Sequence, residues 1–264
     1  MQLLSKYQFH LVFSLLFTTV FGQIYEEAVP RIRRVSGGRT ASDKEISFAI
    51  ALFHKNAYIC TYSLITLQTA LGAAHCLRNT KVGDLLGTIG NGNKILGKKI
   101  SFSAMYKHPF FKPSGFHDIA TLILRKPIEK QQMPNVSPIA LPLTDREFVK
   151  GTATVAGWGR TDSENESDIL QIAEVQLIDP DPWIHVYPRL DKSQIAVIAE
   201  GVILYSGDSG GPLIYVTKEG YQVIIGVSSY SLSNATIPHI FCSTGKHLEW
   251  IKVYTVGKLT FRDV

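Results

Sequence analysis

The chain has 264 residues, 45% hydrophobic, 10% aromatic and 19% charged, with 21 glycines and 12 prolines that follow no period. That composition excludes a disordered, collagen-like or low-complexity chain, and it suffices for one large domain or two small ones. The formal net charge of +5 comes without a Lys/Arg-rich block, which argues against nucleic acid as a partner, and three cysteines are too few for a disulfide scaffold.

Residues 1–22 read as a secretory signal: Lys6, an apolar run from Leu11 to Phe21, and small residues Val20 and Gly22 at its end. The run is too short for a membrane anchor, so a secreted, extracellular protein with no membrane association is expected. Residues 23–34, QIYEEAVPRIRR, are polar, contain Pro30 and end in Arg31-Ile32-Arg33-Arg34. Alone, that cluster reads as a solvated basic turn; it also suits the acidic pocket of a processing protease.

Beyond residue 34, Ser47–His54, Ser63–Leu71, Ala120–Leu124, Gly151–Val155, Leu170–Leu177, Leu213–Val216 and Gln222–Ser228 are short apolar or alternating runs, mostly separated by Gly, Pro, Asn or Asp. Many short strands predict an all-β barrel or sandwich. A single helix is expected at about His247–Thr255, where Leu248, Ile251 and Tyr254 share a stripe. Residues 130–142, KQQMPNVSPIALP, divide the chain near its middle. Asn135, Asn165 and Asn234 open N-x-S/T sequons, candidate glycosylation sites in an exported chain.

Three segments carry chemistry. Ala73-Ala74-His75-Cys76 follows an apolar strand, Asp118 opens the buried run Ile119–Leu122, and Ser209 lies in the turn Gly207-Asp208-Ser209-Gly210-Gly211 before Pro212-Leu213. Glycines permit positive φ and close backbone approach, and such a turn can aim the N–H groups of Gly207 and Ser209 at one point, as an oxyanion hole requires. A serine hydroxyl needs a base, a histidine supplies one near neutral pH, and a carboxylate fixes its tautomer. Each residue alone has an ordinary structural explanation; the order His, Asp, Ser joins them.

With AAHC, DIATL, GWGR (Gly157–Arg160) and GDSGGPL in this order, the chain resembles the trypsin/chymotrypsin-like serine proteases from Val35 to the C-terminus. The resemblance implies two antiparallel six-stranded β-barrels with a C-terminal helix, barrel 1 about 35–135 and barrel 2 about 136–264, and a site in the cleft between them. It implies His75 as general base, Asp118 as its orienting carboxylate, Ser209 as nucleophile, and Gly207 and Ser209 as oxyanion donors. It implies a precursor cut after Arg34, with the new Val35 amine paired to Asp208. Breaking such a buried pair from one side costs on the order of 3–5 kcal/mol, enough to couple cleavage to ordering of the Ser209 turn. It pairs Cys60 with Cys76 across a loop of about 17 residues, worth roughly 3 kcal/mol, and leaves Cys242 as a buried free thiol. Partners implied are a protein or peptide substrate, an activating protease and a protease inhibitor, with the chain a monomer.

The departures from the family concentrate at the substrate pocket. Tyr205 stands where the family has a cysteine, and no cysteine follows between Ser231 and Pro238. The pocket floor, six residues before the nucleophile, is Ile203, followed by Leu204. Isoleucine cannot pair with Arg or Lys, so trypsin-like cleavage is not expected. The strand that pairs with substrate reads Ser229-Tyr230-Ser231, and His239 replaces a small residue that leaves the pocket open. Unusual specificity and drift of a poorly constrained pocket both fit these changes. No metal motif stands out among the eight histidines, and no cofactor is expected. The alternative to an active endopeptidase is an inactive secreted homologue serving as a binding partner.

Overall fold

In the computed structural model the described residues are 38–42, 45–159, 167–188, 190–198, 208–230 and 237–264. The signal and pro-segment, the sequons Asn165 and Asn234, and the site residues Arg34, Val35, Ile203, Leu204, Gly207 and Ser231 lie outside them.

Two six-stranded antiparallel barrels form the fold, as expected. In the first, β2 (Ala49–His54), β3 (Ala57–Thr66), β4 (Thr69–Gly72), β5 (Leu85–Ile89), β6 (Lys98–Lys107) and β7 (Ala120–Leu124) close in the order β2-β3-β4-β7-β6-β5. In the second, β9 (Gly151–Gly157), β10 (Gln171–Ile178), β11 (Gln194–Ile198), β12 (Pro212–Val216), β13 (Gln222–Tyr230) and β14 (His239–Ser243) run β10-β11-β14-β13-β12-β9, and pairing of β9 with β10 closes the ring. A short β1 (Arg39–Thr40) pairs with β10, and β8 (Leu141–Pro142) runs parallel to β15 (Phe261–Arg262). The helix α1 (Leu248–Val253) follows a 3-10 turn at Gly245–His247. No helix among the described residues is long and apolar enough to cross a membrane.

Most predicted strands coincide with observed ones, and Ala120–Leu124 does so at both ends. The run Ser63–Leu71 does not: it spans the end of β3, a two-residue turn at Leu67-Gln68, and β4. Ser63 faces Leu71 and Thr66 faces Thr69 across this hairpin. The turn has no Gly, Pro, Asn or Asp, and both strands are buried, so the run reads as continuous. Four barrel strands escaped the sequence reading, as did the two-residue β1, β8 and β15. In β6 only Phe102 is buried, and lysines and serines interrupt the half-buried apolar residues, so no apolar run marks it. Strands β5, β11 and β14 are only five residues each.

Barrel cores are filled in the usual alternating way. Ile50, Leu52, Leu64, Leu71, Leu122 and Leu124 pack in the first; Val155, Val175, Val197, Leu213, Val223 and Phe241 pack in the second. The link at 130–142 touches both: Ile139 N–H donates to the Leu64 carbonyl at 2.9 Å, and Ile224 N–H donates to that of Ala140 at 2.9 Å. Asn135 on this link is exposed.

Candidate active site

The His75 segment leaves β4 and is held from beneath. Tyr62 is fully buried, and its hydroxyl donates to the Ala73 carbonyl at 2.7 Å. A Cβ at Gly72 would come within 2.6 Å of the Tyr62 ring, so glycine is needed there. Burial, reinforced by Asp118, raises the Tyr62 pKa well above its ordinary value and keeps it a neutral donor. The Cys60–Cys76 disulfide ties β3 to the 3-10 turn at His75–Leu77. Cys242 is free and buried, and burial pushes its thiol pKa up.

Asp118 is 2% exposed, and both of its carboxylate oxygens are hydrogen-bonded. Its Oδ1 accepts the His75 backbone N–H at 2.8 Å; its Oδ2 accepts His75 Nδ1–H at 2.6 Å and the Ser229 hydroxyl at 2.7 Å. A carboxylate at Nδ1 places the proton there and leaves the lone pair on Nε2. The His75 side chain is 29% exposed, so this lone pair is reachable. Ser229 lies on β13 of the second barrel, and its bond crosses between barrels. The sequence placed Ser229 only on the substrate strand; a serine in an alternating strand gives no signal of this second contact.

The Ser209 turn bridges the barrels as well. Thr61 N–H on β3 donates to the Ser209 carbonyl at 3.0 Å, and Gly210 N–H donates to that of Ser228 on β13 at 2.9 Å. Gly210 has φ +76°, and a Cβ there would meet the Thr61 carbonyl oxygen at 2.6 Å, Ala73 N at 3.1 Å and Cys76 Sγ at 3.4 Å. The turn therefore rests directly on the His75 segment, and Cys76 Sγ in turn lies 3.8 Å from His75 Nε2. Asp208 is buried, and its carboxylate accepts Gly159 N–H at 2.9 Å; side chains at Gly157 or Gly159 would overlap it.

Of the pocket residues, Tyr230 packs its ring on Gly115, accepts from Gln194 Nε2 at 3.2 Å, and has its pKa pushed up to about 12 by burial. His239 opens β14 and is buried.

The trypsin family model matches residues 35–251. The chain belongs to the trypsin family. This trypsin-family chain is 32% identical over 222 residues to phenoloxidase-activating factor 3 of Holotrichia diomphalia, covering 73% of the chain and 63% of that protein. It is 28% identical over 233 residues to cathepsin G of Mus musculus, covering 83% and 84% respectively. To the suppressor of tumorigenicity 14 protein homolog of Bos taurus it is 29% identical over 243 residues, 84% of the chain but 28% of that relative, so it spans about a quarter of that protein's length.

A second group of side chains meets away from these residues. No metal motif stands out in the sequence, yet the fold brings His108, His117 and His247 together with ring nitrogens within 4.8 Å of one another. Burial lowers the pKa of His108 to about 4 and that of His247 below its ordinary value, with the neighbouring imidazoles adding to both shifts. The set Cys60, His75 and Cys76 is equally close, but its sulfurs are spent in the disulfide and offer no thiolate.

Proposed function

We propose that the chain is a secreted serine endopeptidase, made as a precursor and activated by cleavage after Arg34. The observation that carries this reading is the buried Asp118, whose Oδ2 holds both His75 Nδ1 and the Ser229 hydroxyl while the Ser209 turn rests on the His75 segment. In this reading Ser209 Oγ attacks the scissile carbonyl and His75 Nε2 takes its proton. Asp118 stabilises the resulting imidazolium without accepting that proton. The oxyanion is met by the N–H groups of Gly207 and Ser209. His75 then gives its proton to the leaving amine, and the acyl ester remains on Ser209. Water attacks the ester with His75 again as base, releasing the acid and restoring Ser209. The chemistry requires no cofactor.

In the precursor the amine of Val35 is locked in a peptide bond. Cleavage frees it to pair with Asp208, next to the nucleophile, and this couples processing to the oxyanion turn. An apolar floor at Ile203 and Leu204 favours substrates other than Arg or Lys, since a guanidinium or ammonium there would be buried unpaired. Peptides cut after Arg or Lys should react at least about tenfold more slowly than those cut after apolar residues. The partners are a protein or peptide substrate, an activating protease and a protease inhibitor; the enzyme is a monomer, with Asn135, Asn165 and Asn234 as glycan acceptors.

Incubation of the processed protein with a mixed peptide library tests the reading. Cleavage products should form, and Ser209→Ala should lower kcat on the order of 10^6-fold. A folded, processed protein that cuts nothing, or a Ser209→Ala variant that cuts as fast, would favour an inactive homologue that binds partners instead.

A further inference from the structure

His108 directly follows β6, His117 immediately precedes Asp118, and His247 ends the 3-10 turn before α1. His117 Nδ1 lies 2.9 Å from His247 Nε2. His108 stacks on His117 with ring centroids 4.6 Å apart and meets His247 edge-on at 5.3 Å. The three line a cleft of about 430 Å³ with Trp250, Lys246 and Lys252. Both lysines have acidic partners: Asp145 at 3.3 Å for Lys246 and Glu249 at 2.7 Å for Lys252. Their charges are therefore partly offset.

We propose that His108, His117 and His247 form a binding site for a divalent transition-metal ion of the zinc class, with its remaining position facing the adjoining cleft. Three imidazoles select zinc, copper or nickel over calcium or magnesium, which take oxygen ligands. Tetrahedral zinc with bonds near 2.0–2.1 Å needs ligand nitrogens about 3.4 Å apart. The observed spread, from 2.9 Å to no more than 4.8 Å, closes on that value through small ring movements. The supporting bond is already in place: His247 Nδ1 lies 2.7 Å from the Ser243 carbonyl, which can only accept. That fixes the His247 proton on Nδ1 and turns the Nε2 lone pair toward His117, the arrangement that orients a metal-bound histidine. In the metal-free protein the His117 Nδ1–H fills this lone pair. Ligation moves that proton to His117 Nε2, so both facing nitrogens become free and no proton need be lost. His108 gives up a 3.3 Å bond from the Phe110 N–H.

The position of His117 gives the site a consequence. Its φ of +48° is unusual for a non-glycine residue, and Asp118 is the next residue. An ion that spreads the 2.9 Å His117–His247 pair to the ligand spacing shifts the His117 ring and the backbone that leads to Asp118. This effect on hydrolysis rests on the proteolytic reading above; the binding itself does not.

The test is a calorimetric titration of the processed Ser209→Ala protein with Zn2+ alone. One ion should bind per chain, reversibly with chelator. His117→Asn and His108→Gln should each weaken binding more than about tenfold. Asparagine tolerates positive φ, so His117→Asn should keep the fold by circular dichroism. His75→Gln should leave zinc affinity unchanged. No binding up to about 1 mM zinc, or equal affinity in His117→Asn, overturns the site and leaves an aromatic cluster only. In processed wild type, zinc should slow peptide hydrolysis several-fold while His117→Asn stays insensitive. Zinc binding without slowing overturns the link to Asp118. Hydrolysis absent with or without zinc counts against the proteolytic reading, while the titration still decides the site.

Discussion

A buried carboxylate is tolerated only when its lone pairs are used, and Asp118 uses them on three donors. Asp118→Asn keeps the shape but replaces an acceptor pair with an amide, and the His75 tautomer is no longer fixed. We predict a fall in kcat of about 10^4-fold with binding largely retained, read by steady-state kinetics on the processed protein. Ser229→Ala removes one donor and leaves a buried lone pair unfilled; the urea midpoint should drop by an amount equal to about 1–3 kcal/mol. An unchanged midpoint would mean that the Ser229 hydroxyl does not support the carboxylate. At this scale His75, Asp118 and Ser209 were legible as candidates because each sits in a compact local motif with glycines or alanines around it. The contact from Ser229 was not, because nothing in Ser228-Ser229-Tyr230 distinguishes a serine that faces Asp118 from one that faces solvent.

Among elements, the turn at Asp208–Gly210 depends most on backbone chemistry. Gly210 combines φ +76° with a Thr61 carbonyl 2.6 Å from where a Cβ would stand. Gly210→Ala should therefore cost upwards of about 1–3 kcal/mol and shift the Ser209 segment away from Ala73, measured together as a lower urea midpoint and lost hydrolysis. Replacing both Cys60 and Cys76 by alanine should lower stability by roughly 3 kcal/mol, compared under identical non-reducing conditions. Strands were legible where apolar residues cluster, as in Ala120–Leu124, and illegible where lysines and serines make up half of a strand, as in Lys98–Lys107. The tight hairpin at Leu67-Gln68 hid a strand boundary because its neighbours are buried on both sides. Its turn needs no residue of special conformation.

Across the whole molecule, segments near each end cross to the opposite barrel. Strand β1 adds to β10, while the C-terminal segment packs on the first barrel: Leu248 and Ile251 join its core, and Thr121 Oγ1 donates to the Tyr254 carbonyl at 2.8 Å. Buried Thr69 both donates to the Val256 carbonyl at 2.8 Å and accepts its N–H at 2.9 Å. Thr69→Val should cost about 1–3 kcal/mol by leaving that N–H without an acceptor. The double-barrel architecture and family were legible from four motifs in order. The histidine trio was not, since His117 and His247 are 130 residues apart and meet only through this crossing of the tail.

In the proposed function, processing after Arg34 completes a working Ser209 site. Labelling by a fluorophosphonate probe tests it most directly, with secreted protein compared before and after cleavage and Ser209→Ala as control. Cleaved wild type alone should be labelled, with Arg34→Gln protein staying unlabelled. Equal labelling of the uncleaved precursor would contradict the activation mechanism; a folded, cleaved wild type that takes up no probe would contradict the catalytic assignment itself.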